Sequence, residues 1–152
     1  LTHAPLILGL DGVQKMSKQL DNDIELAISP QETLERVMTA FTDPARQYRS
    51  DPGHPEGCNI YRLHQAFNGE KSEGISSQCR AAAIGCVDCK QLLAQEINSA
   101  LAPFRQRRSE IATKPEYVNE VLVQGAHRAQ AIARETIREV KEKMGLLSKE
   151  TL

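Results

Sequence analysis

The run Pro115-Glu116-Tyr117-Val118-Asn119-Glu120-Val121-Leu122, continued in the same pattern to Lys143-Met144-Gly145, decides the fold class of this 152-residue chain. Val118, Val121, Leu122, Ala126, Ala129, Ile132, Ala133, Val140 and Met144 recur at helical spacings, so they share one side of a helix. Pro115 presets the first helical φ, and Gly145 suits the left-handed residue that ends a helix. The expectation is a long helix with that stripe buried, loosened midway by Gly125.

Working back, Leu93, Ile97, Leu101, Phe104 and Ile111 carry the same period, with a kink expected at Pro103, which lacks an amide donor. Ser29-Pro30-Gln31-Glu32 is a capping box with proline at the first helical position. Leu34, Val37, Met38 and Phe41 should form that helix's apolar face, and Thr42-Asp43-Pro44 its stop. Asn59 is expected to cap a short helix with the stripe Ile60, Leu63 and Phe67, ended by Asn68-Gly69. Residues 44–57 and 69–78 read as connections, the second partly helical. No alternating strand pattern of any length occurs. The class is therefore all-α, a small helical bundle.

The length suits one domain with a real core. A net charge of −1 exerts no global pull on nucleic acid. Charge is unevenly placed, however: residues 19–57 hold eight acidic side chains against three basic ones. Arg105, Arg107, Arg108 and Lys114 oppose only Glu110 in residues 99–114, which suits a phosphate contact or a solvated helix face. No apolar stretch is long enough to span a membrane. The chain opens on Leu1, within the apolar phrase Ala4-Pro5-Leu6-Ile7-Leu8, which reads as a piece of something longer.

All four cysteines fall between Cys58 and Cys89, with intervals of twenty, six and two residues between Cys58, Cys79, Cys86 and Cys89. Four thiolates complete a tetrahedral zinc site or bind an iron–sulfur cluster. The step Cys86-Val87-Asp88-Cys89 turns two sulfurs toward one point, with Cys79 expected one or two helical turns earlier. A disulfide pair and unrelated buried thiols are the alternatives; no secretory signal favours the first. The apolar run Ala81-Ala82-Ala83-Ile84-Gly85 would limit water around a cluster. Spacing alone leaves zinc and iron–sulfur open. His64, beside the apolar stripe of its helix, is read as a surface or packing residue rather than a ligand.

Near the start, Gly9-Leu10-Asp11-Gly12 is turn-prone and precedes Lys15-Met16-Ser17-Lys18. Two lysines three apart with a hydroxyl between them can close on a polyphosphate, each ammonium acting as a movable point charge.

Asp11-Gly12-Val13-Gln14-Lys15-Met16-Ser17-Lys18 resembles the KMSKS signature loop of class I aminoacyl-tRNA synthetases. Phe41-Thr42-Asp43-Pro44, Gly57-Cys58-Asn59, Ile84-Gly85-Cys86-Val87-Asp88-Cys89-Lys90 and Gly125-Ala126-His127-Arg128-Ala129 are similar to the C-terminal half of bacterial tryptophanyl-tRNA synthetases, in order and over essentially the whole chain. The resemblance implies that residues 1–28 end a Rossmann-type catalytic domain and residues 29–152 form a helical anticodon-binding domain. It implies ATP contacts at Lys15, Met16, Ser17 and Lys18, with Lys15 and Lys18 neutralising phosphate charge as pyrophosphate leaves. The signature's second serine is Gln19 here. Some members of that family carry a 4Fe–4S cluster at a similar cysteine spacing, which favours that cofactor over zinc at Cys58, Cys79, Cys86 and Cys89. Lys90, Arg105, Arg107 and Arg108 are then candidate tRNA contacts. The implied partners are tRNA(Trp), ATP with magnesium, and tryptophan, in a cytoplasmic homodimer that binds neither DNA nor membrane. This chain alone would be inactive, because the tryptophan pocket lies elsewhere in that family. The rival reading is a stand-alone helical four-cysteine adaptor or sensor.

Overall fold

The computed structural model describes residues 6–146. The opening Ala4-Pro5 and residues 147–152 of the expected second domain lie outside the described residues. Among the described residues five α-helices follow one another: α1 (Pro30–Thr39), α2 (Asn59–Asn68), α3 (Ser72–Arg80), α4 (Cys86–Ala112) and α5 (Pro115–Lys143). Short 3-10 turns lie at Lys18–Leu20, Pro55–Gly57 and Gly69–Lys71. Among the described residues the only β pairing is an isolated antiparallel bridge between Leu8 and Lys15. The class is all-α, and no described helix is long and apolar enough to cross a membrane.

Contacts divide the chain into two compact units between Gln106 and Arg107. In the first, α1 starts on its capping box: the Ser29 hydroxyl accepts from Glu32 N, and the Glu32 carboxylate accepts from Ser29 N at 2.7 Å. The core gathers Leu10, Val37 and Ala40, Ile60 and Leu63 of α2, and Leu93, Ala94 and Ile97 of α4. Burying side chains of this size stabilises by roughly 1.5–3 kcal/mol each before the cost of ordering them.

Several expectations are corrected. The inward face of α1 is Val37 and Thr33, both fully buried, rather than Phe41, which follows the helix and is 47% exposed. Thr33 tolerates burial because its hydroxyl donates to Ser29 O (3.0 Å) and accepts from Arg105 (2.7 Å). Asn59 is not a cap. It is buried inside α2, and its amide donates to Gly9 O at 2.8 Å, fastening the loop to the helices. Phe67 is 39% exposed, and Phe104 is also exposed. Most of residues 69–78 is helical, as the 3-10 turn and α3. Cys79 therefore lies near the end of α3, with a turn through Ala82 (φ 54°) separating it from Cys86 at the start of α4. Helix α4 runs through Pro103 without interruption.

The second unit brings the largest correction. Helix α5 starts at Pro115 as expected, yet none of its residues is buried: Val118, Val121, Leu122, Ile132 and Val140 all remain exposed, as does Met144 just after it. Periodicity reports an apolar side, not what covers it.

Candidate functional site

The loop bearing the two lysines is a tied turn. Asp11 Oδ1 accepts from Val13 N (2.8 Å) and Gln14 N (3.1 Å), and its Oδ2 accepts from the Asn22 amide at 2.6 Å. The hydrogen bonds from Val13 N and Asn22 hold the Asp11 carboxyl below its ordinary range, so it is ionised at neutral pH. Asn22, 5% exposed, also accepts from Ser17 N at 2.8 Å, and its carbonyl receives Leu10 N at 2.7 Å. Met16 turns back against the core, its amide donating to Ile7 O. Ser17 caps the 3-10 turn by accepting from Gln19 N. Lys15 and Lys18 are left exposed on this frame, with no ion pair among the described residues. Two free ammonium groups on a fixed backbone suit polyphosphate.

Sequence reading missed Asn22, which looks like a solvated tail residue yet is the centre of the turn. Replacing Asn22 with alanine strands Ser17 N and Asp11 and should cost about 1–3 kcal/mol of stability. Amide exchange in residues 9–22 should quicken more than in α4. Unchanged exchange there would show that the loop is held by other means.

The four cysteines, far apart in sequence, line one cavity of about 20 Å³, together with Asp43, Arg46, Ile60 and Ile84. Cys58 precedes α2, Cys79 ends α3, and Cys86 and Cys89 open α4, so three helix termini aim sulfur at one place. Arg46 Nη1 approaches Cys86 Sγ at 3.9 Å and Cys79 Sγ at 4.0 Å. It forms no ion pair among the described residues, and its buried Nε has no hydrogen-bond partner. A guanidinium half-withdrawn from water without a carboxylate calls for an anion in that cavity. The backbone at Gly53 lies so close to Cys79 Sγ that any side chain there would collide with it.

Among the described residues no three His, Cys, Asp or Glu side chains are placed to grip one metal ion. The donor set nonetheless fits an anionic thiolate centre: four sulfurs, a guanidinium without a carboxylate partner among the described residues, and apolar walls at Ile60 and Ile84. With room for little more than one water, the cavity admits such a centre only if the thiols turn outward. Burial, and then the neighbouring sulfurs, push the Cys89 thiol up to about 12, and burial raises Cys79 despite Arg46. Cys79 and Cys89 are therefore protonated at neutral pH without a metal, and loading must expel their protons.

His64 is fully buried. Its Nε2 lies 3.1 Å from Cys89 O, and the Asn68 amide lies 2.8 Å from Nδ1, which together suit a neutral ring that donates at Nε2. Nε2 also lies 3.4 Å from Cys89 Sγ, so the ring packs against the α4 side of the cysteine cavity. Asp43 fixes the other wall: burial raises its carboxyl, but bonds from Ala45 N and His54 outweigh this and leave it lowered.

The expected RNA contacts stand differently. Lys90 donates to Met38 O at 2.8 Å, and burial lowers its ammonium. Arg105 binds Leu26 O, Asn98 and Thr33, clamping α4 to the start of α1. Arg107 pairs with Glu110 at 3.1 Å, and Arg108 is exposed.

Residues 1–102, which take in the lysine turn and all four cysteines, match the family described as tRNA synthetases class I (W and Y). The chain belongs to that family. Within it, the chain is 41% identical over 149 residues to the tryptophan–tRNA ligase of Thermotoga maritima, which covers 97% of this chain and 45% of that protein. The tryptophan–tRNA ligase of Deinococcus radiodurans is 41% identical over 142 residues, 93% of this chain and 43% of that protein. Among solved structures, tryptophanyl-tRNA synthetase from Campylobacter jejuni, complexed with ADP and tryptophan, matches with a TM-score of 0.83. That match has 27% identity and covers 95% of this chain and 45% of the other. The chain spans less than half the length of these relatives.

Proposed function

We propose that this chain is the C-terminal part of a cytoplasmic, dimeric tryptophan–tRNA ligase, which activates tryptophan with ATP and magnesium and then charges tRNA(Trp). One observation carries the reading: Lys15 and Lys18 stand exposed on a turn whose backbone is fixed from inside by Asp11 and Asn22. Backbone tied in this way places the ammonium groups in advance, so little reorganisation is needed when charge develops on departing pyrophosphate. Likeness to the Thermotoga maritima relative over nearly the whole chain supports the choice of amino acid.

Residues 1–28 end the catalytic domain in this reading, and residues 29–152 bind the anticodon region. Splayed bases are read by hydrogen bonds and stacking, and phosphates are held by cations. Arg108 is exposed to phosphate and Arg107 reaches it by releasing its exposed pair with Glu110, whereas Lys90 and Arg105 reach RNA only by giving up the internal bonds described above. Cys58, Cys79, Cys86 and Cys89 would hold a 4Fe–4S cluster, with Arg46 offering a counter-charge. When bound, the cluster supplies cross-linking of the α2, α3 and α4 termini, since amino-acid activation has no redox step.

The test is amino-acid specificity. Protein carrying this chain at the full length of its relatives should exchange pyrophosphate into ATP with tryptophan and not with tyrosine, and should charge tRNA(Trp). Tyrosine-dependent exchange, or none with either amino acid, would overturn the assignment.

A further inference from the structure

A cleft of about 350 Å³ opens beside the cysteine cavity, lined by Arg46, Gln47, Tyr48, Arg49, Gly85 and Asp88 among others. Tyr48 is 70% exposed in a chain with three tyrosines and no tryptophan, so its ring stabilises no core. Its backbone is fixed nonetheless: Tyr48 N donates to Asp51 Oδ2 at 2.8 Å, and Asp51 N donates back to Tyr48 O at 3.1 Å. The ring is thus presented to water from a rigid turn.

Arg49 lies beside it, its side chain 73% exposed and its Nη2 a loose 3.5 Å from Asp88 Oδ2. The Arg49 carbonyl accepts from Arg46 Nη2 at 2.7 Å, which ties this loop to the residue that faces the sulfurs. Gly85 completes the arrangement. A Cβ there would press within 3.0 Å of the Asp88 carboxylate and 3.2 Å of Arg49 Nε, so bare backbone lets both approach. An aromatic face, an exposed guanidinium and a loosely paired carboxylate converge on a cleft large enough for one heterocycle.

We infer that this cleft takes a single unstacked RNA base with its phosphate, which rests on the tRNA-binding reading above. Tyr48 stacks on the base, as aromatic side chains do on splayed single strands. Arg49 releases its weak hold on Asp88 and turns to the phosphate. The freed Asp88 carboxylate accepts from an exocyclic amine, so the cleft favours a base that carries one over uracil. This places base recognition at the 46–49 turn and the start of α4 rather than at the arginines of residues 105–108.

The experiment is equilibrium binding of the whole chain to a labelled RNA stem-loop with a CCA loop sequence, beside one with UUU, which carries no exocyclic amine. Tyr48→Ala should weaken binding about ten- to a hundredfold. Tyr48→Phe should bind like the original, and both should keep its far-UV circular dichroism. Arg49→Ala should reduce the salt dependence by about one phosphate contact. Asp88→Ala should erase the preference for CCA over UUU. Binding by the original chain with Tyr48→Ala and Arg49→Ala unchanged overturns the cleft and leaves the tRNA reading standing. Equal binding of the two loops by the original chain overturns the role of Asp88. Failure of the original chain to bind either loop overturns the cleft and the tRNA reading together.

Discussion

Alanine at Lys18 will slow tryptophan-dependent pyrophosphate exchange by ~10²–10³-fold in the full-length protein, the scale set by removing one preorganised charge-stabilising donor. Lys18 opens the 3-10 turn Lys18–Leu20, is exposed, and forms no ion pair among the described residues. Its removal therefore strands no partner and should leave the thermal midpoint in place. The loss should appear in kcat, with the KM for tryptophan nearly unchanged, because an ammonium that meets charge only as pyrophosphate leaves contributes little to the ground state. Lys15→Ala should behave alike, and Lys18→Arg should keep part of the rate, since a guanidinium carries the charge with a different reach. An unaltered kcat in Lys18→Ala would remove the loop from the chemistry.

Serine at Cys86 will abolish iron binding and loosen residues 79–90, while α5 stays folded. Cys86 opens α4, so its sulfur joins the start of that helix to the end of α3 across the turn at Ala82. With one of four thiolates gone, a cluster loses a ligand that serine replaces poorly. Amide exchange should speed up through the turn between α3 and α4. It should change little in the second unit, which has no residue in the cysteine cavity. Global unfolding would mean that the centre holds the whole core rather than three helix ends. Unchanged iron content would mean that Cys86 is not a ligand.

Part of this architecture is written plainly in the sequence. Ser29 and Glu32 form both halves of the expected capping box, because that motif is a local hydrogen-bond exchange between residues three apart. Pro115 begins α5 for an equally local reason, and the four cysteines do line one cavity. What stayed hidden depends on tertiary partners. Thr33 replaces Phe41 on the buried face because a guanidinium 72 residues away meets its hydroxyl. Arg105 looks like an RNA contact by charge but turns inward to three acceptors. Helix α3 was obscured by its polar sequence, since Ser72-Glu73-Gly74-Ile75-Ser76-Ser77 offers almost no apolar period. The exposure of α5 was beyond reach for the opposite reason: its period is clear, and no period names its partner.

The cluster proposed at the four cysteines is tested most directly by determining iron, inorganic sulfide and zinc in protein prepared without air. Iron and sulfide in equal amounts, in brown material with broad violet–blue absorbance, is the result that the proposed 4Fe–4S cluster predicts for the cavity lined by the four cysteines. Colourless protein with one zinc per chain, or with neither metal after anaerobic reconstitution with iron and sulfide, would contradict it.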